Sequence, residues 1–290
     1  MIKEFKGRLY KDIDLAPYTS FKIGGKADFL IIPNSWEELI SILDNLSIKK
    51  IPVKILGQGS NILIPDEGIE GAVIRLNKNL GKTKLIDSFL IEVEAGCLIS
   101  SLLSFLMENN LGGIEFMIGI PGTLGGAVQG NAGAWGMSIG DYVKRVTVID
   151  ENLKEKDIDK KDLEFSYRHS NITSNLIIKS VIIKVKKQPK DIALSLIKSY
   201  LKERAKRLPR LPSAGSIFRN PKEGSAGYFI ESLGFKGKKV GDAMVSYEHA
   251  NIIVNLGKAK AKDVKELIDL IREKVKEAYG IDLELEIVLW

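Results

Sequence analysis

Residues 112–136 read GGIEFMIGIPGTLGGAVQGNAGAWG, and no other part of the chain is so rich in glycine. Nine of these 25 residues are glycine, out of 27 in the whole chain, and Glu115 is the only charged one. Because glycine costs about 1 kcal/mol per residue inside a helix, this composition predicts a loop. The segment is too apolar for a flexible linker. Two interpretations remain: a loop whose unhindered N–H groups bind phosphate, or tight turns in a buried connection.

A second glycine-rich turn precedes this segment, in IPVKILGQGSNILI at residues 51–64. Apolar runs flank the turn GQGSN (57–61), which predicts two strands joined by it. No helical pattern follows, so the turn is neither a Walker loop nor the G-x-G-x-x-G fingerprint. Alone, it is more typical of a hairpin than of a binding site. Two such loops together suggest a diphosphate-bearing cofactor held by a less common fold.

Short strands and helices alternate around these loops. Ser35 and Glu38 have capping-box spacing before an apolar helical pattern, and Gly280 follows the clearest amphipathic helix in the chain. The charged stretch 154–163 is interpreted as a turn. The predicted helices cover 35–46, 98–110, 191–207, 226–234 and 263–279, and the predicted strands cover 29–32, 51–56, 62–64, 72–76, 89–95, 142–150, 177–187, 249–255 and 283–290.

The bulk properties limit the class of protein. A length of 290 residues predicts two or three domains. No run of eighteen apolar residues occurs, so we predict no membrane span. The N-terminus MIKEFKGRLYKDIDL lacks the apolar centre of a signal peptide. Cys97 is the only cysteine, which excludes an intrachain disulfide, and the simplest expectation is a cytoplasmic protein.

The formal net charge of +6 suits either nucleic acid or an anionic small molecule as a partner. The lysines are spread along the chain, and aromatic residues are not interleaved with them as in a platform for single strands. We therefore predict no nucleic-acid partner. Two histidines and one cysteine could not build an ordinary zinc site, so no metal is predicted.

Six motifs occur in the order seen in the UDP-N-acetylenolpyruvoylglucosamine reductases, flavoenzymes of bacterial peptidoglycan synthesis, and the chain resembles this family from residue 19 to about 287. The motifs are TSFKIGG (19–25), GQGSNILI (57–64), GIPGTLGGAVQGNAGAWG (119–136), YRHS (167–170), SAGSIFRNP (213–221) and HANIIVN (249–255). The short connection after Ser170 resembles the family's shorter class, which lacks substrate-domain insertions.

The resemblance implies an α+β fold. A two-part FAD-binding domain of the vanillyl-alcohol-oxidase type would come first, followed by a small α+β substrate domain. The expected boundaries are 1–76 and 77–190 for the two FAD-binding subdomains, and 191–290 for the substrate-binding domain. The C-terminal strand of that last domain could return to the flavin site.

The activity implied is NADPH-dependent reduction of UDP-N-acetyl-3-O-(1-carboxyvinyl)-glucosamine, an enolpyruvyl ether, to UDP-N-acetylmuramate through non-covalent FAD. FAD carries the redox chemistry, so the protein contributes by positioning the substrate and by stabilising the charge that develops on it. The resemblance places the cofactor contacts at Gly57, Gly59, Ser60, Asn61, Gly119, Ile120, Pro121, Gly122, Gly125, Gly126, Asn131, Ala132 and Gly133.

Three residues match the family's catalytic positions. Arg168 would hold the substrate carboxylate with a two-bonded fork, Ser216 would donate the proton, and Glu286 matches the family's C-terminal glutamate. Each also has an ordinary interpretation. Arg168 could pair with Asp162 or Glu164 on the surface, the serine could be a turn residue, and the glutamate could lie on a solvated strand face.

Four further residues match positions that contact the nucleotide sugar or line its pocket. Arg219 replaces the family's usual lysine and keeps its charge, and Asn220 follows it. Tyr167 and His249 are the other two candidates. The chain departs from the family at Val288, where an arginine is usual, and this weakens the local support for Glu286.

Two other functions remain open. The first is another FAD-dependent oxidase or dehydrogenase on the same flavin fold, against which the three catalytic motifs argue together. The second is a nucleotide-binding module without catalysis. A yellow protein that NADPH bleaches in the absence of oxygen would dismiss this second alternative.

Overall fold

The computed structural model describes residues 5–173 and 175–290, and this part of the chain contains six α-helices and 21 strands. The helices are α1 (Trp36–Ile48), α2 (Ile99–Glu108), α3 (Leu124–Gln129), α4 (Lys190–Arg207), α5 (Ala226–Ser232) and α6 (Ala261–Tyr279). The strands are β1 (Arg8–Asp14), β2 (Lys26–Ile32), β3 (Val53–Leu56), β4 (Ile62–Leu63), β5 (Ile69–Arg75), β6 (Thr83–Leu85), β7 (Leu90–Glu94), β8 (Leu111–Gly112), β9 (Gly133–Ala134), β10 (Met137–Ser138), β11 (Val143–Ile149), β12 (Glu155–Asp159), β13 (Phe165–Ser166), β14 (His169–Ser170), β15 (Ile177–Lys184), β16 (Lys186–Lys187), β17 (Ser213–Ser216), β18 (Lys239–Val240), β19 (Ala243–Val245), β20 (Ile252–Asn255) and β21 (Val288–Leu289).

The first sheet has four strands in the order β1-β2-β5-β3, and β3 and β5 are parallel. Helix α1 connects β2 to β3, as the sequence predicts. Its N-terminus is capped by Ser35, whose Oγ accepts the Glu38 N–H at 3.2 Å. The Glu38 carboxylate instead accepts the main-chain N–H groups of Lys6 at 2.8 Å and Asn34 at 2.9 Å. The predicted capping-box spacing therefore marks the helix start correctly.

A five-stranded antiparallel sheet has the order β12-β11-β15-β7-β6. Its edge strand β12 lies in the charged stretch that the sequence analysis interprets as a turn, and that interpretation is wrong. Arg145 of β11 forms ion pairs with Asp157 at 3.4 Å and Asp159 at 2.8 Å, and Thr147 donates to Asp157 at 2.7 Å. Charged side chains suit an edge strand because they discourage pairing with other chains.

The chain divides into two compact units. The first comprises residues 5–10, Leu30–Gly57 and Ala72–Glu203, and includes the five-stranded sheet. Helix α3 packs against β7 and β15 of that sheet. The only cysteine, Cys97, lies in this unit and is 3% exposed, with its Sγ 3.6 Å from the Thr83 Oγ1. Burial raises the pKa of the Cys97 thiol.

The second unit comprises Lys11–Phe29, Gln58–Gly71 and Arg204–Trp290. Its sheet has the order β17-β20-β19-β18, and α6 packs against β18 and β19. The apolar face of α6 is buried in one hydrophobic core with α5 and β20. Helix α6 ends at Gly280, whose φ of +70° is the left-handed conformation that glycine adopts most easily. None of the helices described in either unit combines the length and apolar character that a bilayer span requires.

Candidate active site

The glycine-rich segment has a mostly buried inner part and an exposed rim. Gly119, Pro121 and Gly126 are exposed and Gly122 is half-exposed, whereas Glu115–Met117 are buried. Gly119 and Gly122 have φ angles of +74° and +142°, which residues with a side chain rarely adopt. A Cβ on Gly126 would have only the Thr123 Oγ1 within 4 Å, at 3.7 Å. The rim is therefore open to a ligand, and the interpretation as buried turns fits only the inner part.

Helix α3 contradicts the expectation of a loop throughout this segment. Thr123 caps it, its Oγ1 accepting the Gly126 N–H at 3.5 Å. A Cβ on Gly125 would lie 2.8 Å from the Cβ of Ala95, which follows β7. Only glycine allows so close an approach, and the packing gained here outweighs the unfavourable helix propensity of glycine, about 1 kcal/mol.

The GQGSN turn is not a hairpin. Strand β3 before it pairs with β5, and β4 after it pairs in parallel with β21. The turn is nevertheless packed closely. A Cβ on Gly57 would lie 2.6 Å from the Thr123 Oγ1, and Gly59 has a φ of +61° and lies against the main chain of Tyr18. Gly57 therefore lies against Thr123 of the glycine-rich segment, and the predicted FAD contacts of the turn stay predictions.

Asn131 joins the glycine-rich segment to the hairpin β13–β14. The side chain is 4% exposed, its Nδ2 donates to the Ser166 carbonyl at 2.7 Å, and its Oδ1 accepts the Gly140 N–H at 3.0 Å. Ser170 adds a second link, since its Oγ donates to the Gln129 carbonyl at 2.7 Å. The Asn131 amide is thus engaged with the protein, and its predicted contact with FAD stays a prediction.

Arg168 occupies the two-residue turn of this hairpin, after Tyr167. Its φ is +55°, a conformation that is strained for a residue with a long side chain. The guanidinium is half-buried, lies 5.1 Å from the centre of the Tyr167 ring, and donates from Nη2 to the Gly133 carbonyl at 2.9 Å. The structure therefore places Arg168 against the glycine-rich segment, at a residue predicted to contact the cofactor.

Ser216 and Glu286 lie on neighbouring segments of the second unit. The ladder between β17 and β20 is irregular just before Ser216, where Gly215 has a φ of +78°. The next residue, Ile217, accepts the Glu286 N–H at 2.8 Å. Asn61 of the GQGSN turn donates from Nδ2 to the Glu286 carbonyl at 3.0 Å. Two of the three catalytic candidates, Ser216 and Glu286, and the cofactor candidate Asn61 therefore lie on segments that are joined by hydrogen bonds.

The structure also distinguishes Glu286 from its neighbour Glu284. The Glu284 carboxylate lies 3.5 Å from the Arg219 guanidinium, and its side chain is 77% exposed, whereas Glu286 is half-buried. The predicted closing strand is shorter than expected, because only Val288–Leu289 pair as a strand. Asn220 is exposed, and its Oδ1 accepts the Ala226 N–H at the start of α5, at 3.0 Å.

His249 is half-buried near these segments. Burial, followed by the positive charge of Lys236, holds the pKa of His249 below its ordinary value. Its Nδ1 accepts the Asn251 N–H at 3.3 Å. The lowered pKa favours the neutral imidazole, and the bond that Nδ1 accepts assigns the ring proton of that form to Nε2.

Comparison with known proteins assigns the chain to a family. The sequence pattern of the FAD binding domain matches residues 27–154, and that of the UDP-N-acetylenolpyruvoylglucosamine reductase C-terminal domain matches residues 206–290. The UDP-N-acetylenolpyruvoylglucosamine reductase of Thermotoga maritima is 40% identical over 282 residues, which cover 95% of this chain and 96% of that protein. The chain belongs to the UDP-N-acetylenolpyruvoylglucosamine reductase family.

Other relatives agree with this assignment. The reductase of Caldicellulosiruptor bescii is 41% identical over 281 residues, covering 96% of this chain and 89% of that protein. The crystal structure of the Thermus caldophilus UDP-N-acetylenolpyruvylglucosamine reductase matches with a TM-score of 0.83 and 35% identity, over 98% of this chain and 99% of that one. The predicted family and the α+β fold with an FAD-binding domain are confirmed.

In this reductase, the sequence did not predict that the Asn251 side chain links two segments of the main chain. Asn251 is buried, and its side-chain amide bonds to the main chain of Phe218. A signal was available, because an amide inside the apolar motif HANIIVN must find buried hydrogen-bond partners. Which main chain it would meet depends on residues 33 positions away, and the motif does not contain that information.

Proposed function

We propose that the chain is an FAD-dependent oxidoreductase that uses NADPH to reduce UDP-N-acetyl-3-O-(1-carboxyvinyl)-glucosamine to UDP-N-acetylmuramate, in bacterial peptidoglycan synthesis. The observation that carries this proposal is the full-length relation to the Thermotoga maritima reductase. A relation of this extent includes both the FAD-binding part and the C-terminal part of the chain.

The residues that would hold non-covalent FAD are those of the open rim and of the GQGSN turn. Glycines at positive φ, such as Gly119 and Gly122, allow a diphosphate to approach the main chain closely, and Gly126 leaves room beside them. When bound, FAD accepts a hydride from NADPH and supplies one to the double bond of the substrate.

Arg168 is proposed to bind the substrate carboxylate. A guanidinium forms two parallel charge-assisted bonds to a carboxylate, and it stabilises the negative charge that develops there as the double bond is reduced. The contact with the Tyr167 ring and the bond to the Gly133 carbonyl restrict the orientation of this group. These contacts hold the guanidinium in one orientation before any substrate binds.

Ser216 is proposed to donate a proton to the carbon beside the carboxylate. A hydroxyl is a weak acid, but it can protonate a strongly basic, carbanion-like carbon within hydrogen-bond reach. The irregular ladder before Ser216 supports this role, because bulges re-aim side chains at active sites. Glu286 is the second catalytic candidate, and it would be the next donor to test if Ser216 did not donate.

The nucleotide-sugar contacts are proposed for Tyr167, Arg219, Asn220 and His249. Arg219 would attract an anionic group, although Glu284 offsets part of its charge. Asn220 uses its Oδ1 at the start of α5, which leaves its NH₂ group to donate. His249 would donate from Nε2. The absence of a nucleic-acid partner and the cytoplasmic location stay predictions.

Two measurements test the function. NADPH should bleach the flavin of the purified protein without oxygen, and the enolpyruvyl sugar nucleotide should then restore the oxidised spectrum and yield UDP-N-acetylmuramate by mass spectrometry. Reoxidation by oxygen but not by the sugar nucleotide would instead indicate an oxidase on the same fold. A protein that NADPH does not bleach would indicate a nucleotide-binding module.

A further inference from the structure

We propose that Asn251 is a positioning residue that fixes Ser216 relative to Glu286 through the main chain of Ile217 and Phe218. The inference rests on the proposed function, since it assigns Asn251 to the proton-donating step. Asn251 itself need not touch the substrate.

The side chain of Asn251 acts as a replacement peptide group. Its Oδ1 accepts the Phe218 N–H at 2.9 Å, and its Nδ2 donates to the Phe218 carbonyl at 2.7 Å. Both bonds go to one residue, as in a hydrogen-bonded pair of antiparallel strands. Asn251 is 4% exposed and Phe218 is 1% exposed, so water cannot take over either bond.

The main-chain pairing of β17 with β20 ends next to the hydrogen bonds of the Asn251 side-chain amide. Strands β17 and β20 pair Ser216 with Ile252, and the Asn251 carbonyl then accepts the Ile217 N–H at 2.8 Å. The Asn251 N–H is already donated to His249. The Asn251 side chain supplies the next two hydrogen bonds, which main-chain groups would supply if the two strands continued to pair. Three hydrogen bonds therefore tie Asn251 to the two residues that follow Ser216.

The opposite side of the same segment carries Glu286. The Ile217 carbonyl accepts the Glu286 N–H at 2.8 Å, and Arg219 donates its N–H to the Glu284 carbonyl at 2.9 Å. Residues 217–219 are thus a short central segment, hydrogen-bonded to Asn251 on one side and to Glu284–Glu286 on the other. A shift of Phe218 would therefore change the position of Ser216 relative to Glu286.

The consequence for the reaction is specific to one step. Proton donation depends on the distance between the Ser216 hydroxyl and the carbon that it protonates. A displacement of about 1 Å can slow a reaction by about 100-fold. Reduction of the flavin by NADPH does not require this proton, so a displaced Ser216 should leave it unchanged.

Asn251→Asp tests the inference in the FAD-loaded full chain. Aspartate keeps the volume and the acceptor for the Phe218 N–H but places a second oxygen against the Phe218 carbonyl, so that bond is lost. We expect flavin reduction by NADPH at close to the wild-type rate, and reoxidation by the enolpyruvyl sugar nucleotide slowed about 10- to 100-fold. Stopped-flow flavin absorbance measures each half-reaction.

Asn255→Asp is the matched control. Asn255 lies on the same strand and is 2% exposed, but its Nδ2 bonds to the carbonyls of Phe21 and Lys22 rather than to the Ser216 segment. We expect its thermal unfolding temperature to fall as in Asn251→Asp, with reoxidation close to wild type. Equal slowing of reoxidation in both variants would mean that a merely structural role explains Asn251, and the inference would be wrong.

A double-mutant cycle separates action through Ser216 from any other effect. In the Ser216→Ala background, Asn251→Asp should add no further slowing of reoxidation, because the group that it positions is already gone. Additive slowing, or slowing of both half-reactions, would overturn the inference.

If Asn251→Asp does not fold, Asn251→Ser, which is smaller and uncharged, takes its place. If neither folds while Asn255→Asp does, Asn251 is required for the fold itself, and a separable positioning role is refuted. Failure of the proposed function looks different, since the wild-type protein would then not be reoxidised by the enolpyruvyl sugar nucleotide at all.

Discussion

Arg168 combines a strained backbone with a restrained side chain. The left-handed conformation costs a non-glycine residue about 1–2 kcal/mol. The bond to the Gly133 carbonyl and the links that Asn131 and Ser170 make beside it oppose relaxation. Such strain tends to persist at functional positions, where the surrounding contacts over-determine the conformation. The restrained turn is in accord with the functional role that the family motif predicts for Arg168, although positive φ also occurs at non-glycine residues elsewhere in the chain, such as Lys50 and Leu153.

Arg168→Lys should leave folding and FAD binding intact but slow reoxidation of the flavin by the enolpyruvyl substrate. Lysine keeps the charge but loses the two-bonded fork, and one such contact is worth roughly 2–4 kcal/mol, or about two to three decades in rate. Arg145→Lys, in the exposed ion pairs of β11, is the control and should react like wild type. Wild-type turnover of Arg168→Lys would place this residue outside the site.

Ser216→Ala should separate the two half-reactions. Reduction by NADPH should stay near the wild-type rate, whereas reoxidation should slow by about two to four decades, as expected for a lost general acid. Cysteine at this position should recover part of the rate, since a thiol also donates a proton. Stopped-flow absorbance gives both rates, and Ser213→Ala on the same strand is the control. Equal slowing of both half-reactions would indicate that Ser216 has a packing role rather than a role in proton donation.

At the scale of elements, the two glycines of α3 have different roles. Gly125 is buried against Ala95, whereas Gly126 faces open space beyond Thr123. The first glycine is therefore needed by the fold, and the second is available to a ligand.

Gly126→Leu should give a stable protein that no longer retains FAD, because a Cβ there has only the Thr123 Oγ1 within 4 Å and the rest of the side chain would occupy the rim. Gly125→Leu should instead destabilise the fold, since overpacking typically costs 1–3 kcal/mol or more. Gln129→Leu places the same apolar side chain at the exposed end of α3 and should keep its flavin. Flavin absorbance and thermal unfolding distinguish these outcomes. Full flavin occupancy in Gly126→Leu would show that the rim is not part of the cofactor site.

The sequence predicts those elements whose signals are local. Ser35 marks the start of α1 and Gly280 marks the end of α6, and the structure confirms both. Helix α3 was missed because its glycines satisfy packing against Ala95, which outweighs propensity. Strand β12 was missed because its charges are matched by Arg145 on the neighbouring strand. Both misses depend on a neighbour that is remote along the chain.

The same limit applies to the candidate site. The family motifs identify Ser216 and Glu286, but nothing in their spacing brings them together. Their proximity depends on the Ile217–Glu286 hydrogen bond, and the bond from Asn61 to Glu286 adds a third segment. Side-chain identity can be carried over from a family, whereas the supporting hydrogen bonds require the folded chain.

At the scale of the whole molecule, the second unit draws on three separate parts of the sequence. Two side chains illustrate how these parts are joined. Asn255 donates to the Phe21 carbonyl at 3.1 Å, and the Asp66 carboxylate accepts the Ala261 N–H at the start of α6 at 2.7 Å. No shift in composition along the chain marks this discontinuity, because it is created by contacts between residues that are far apart in sequence.

The burial of Cys97 makes the natural protein a ready background for spectroscopic labelling. Maleimides react with thiolates, and a thiol that is 3% exposed with a raised pKa supplies almost none at neutral pH. We expect the folded protein to take up no maleimide label while an exposed thiol is labelled fully, as mass spectrometry would show. A cysteine introduced at an exposed position in each unit, such as Gln129 and Tyr228, would then carry a fluorophore or spin-label pair without removal of the native thiol. The distance between the two labels could be followed through each half-reaction.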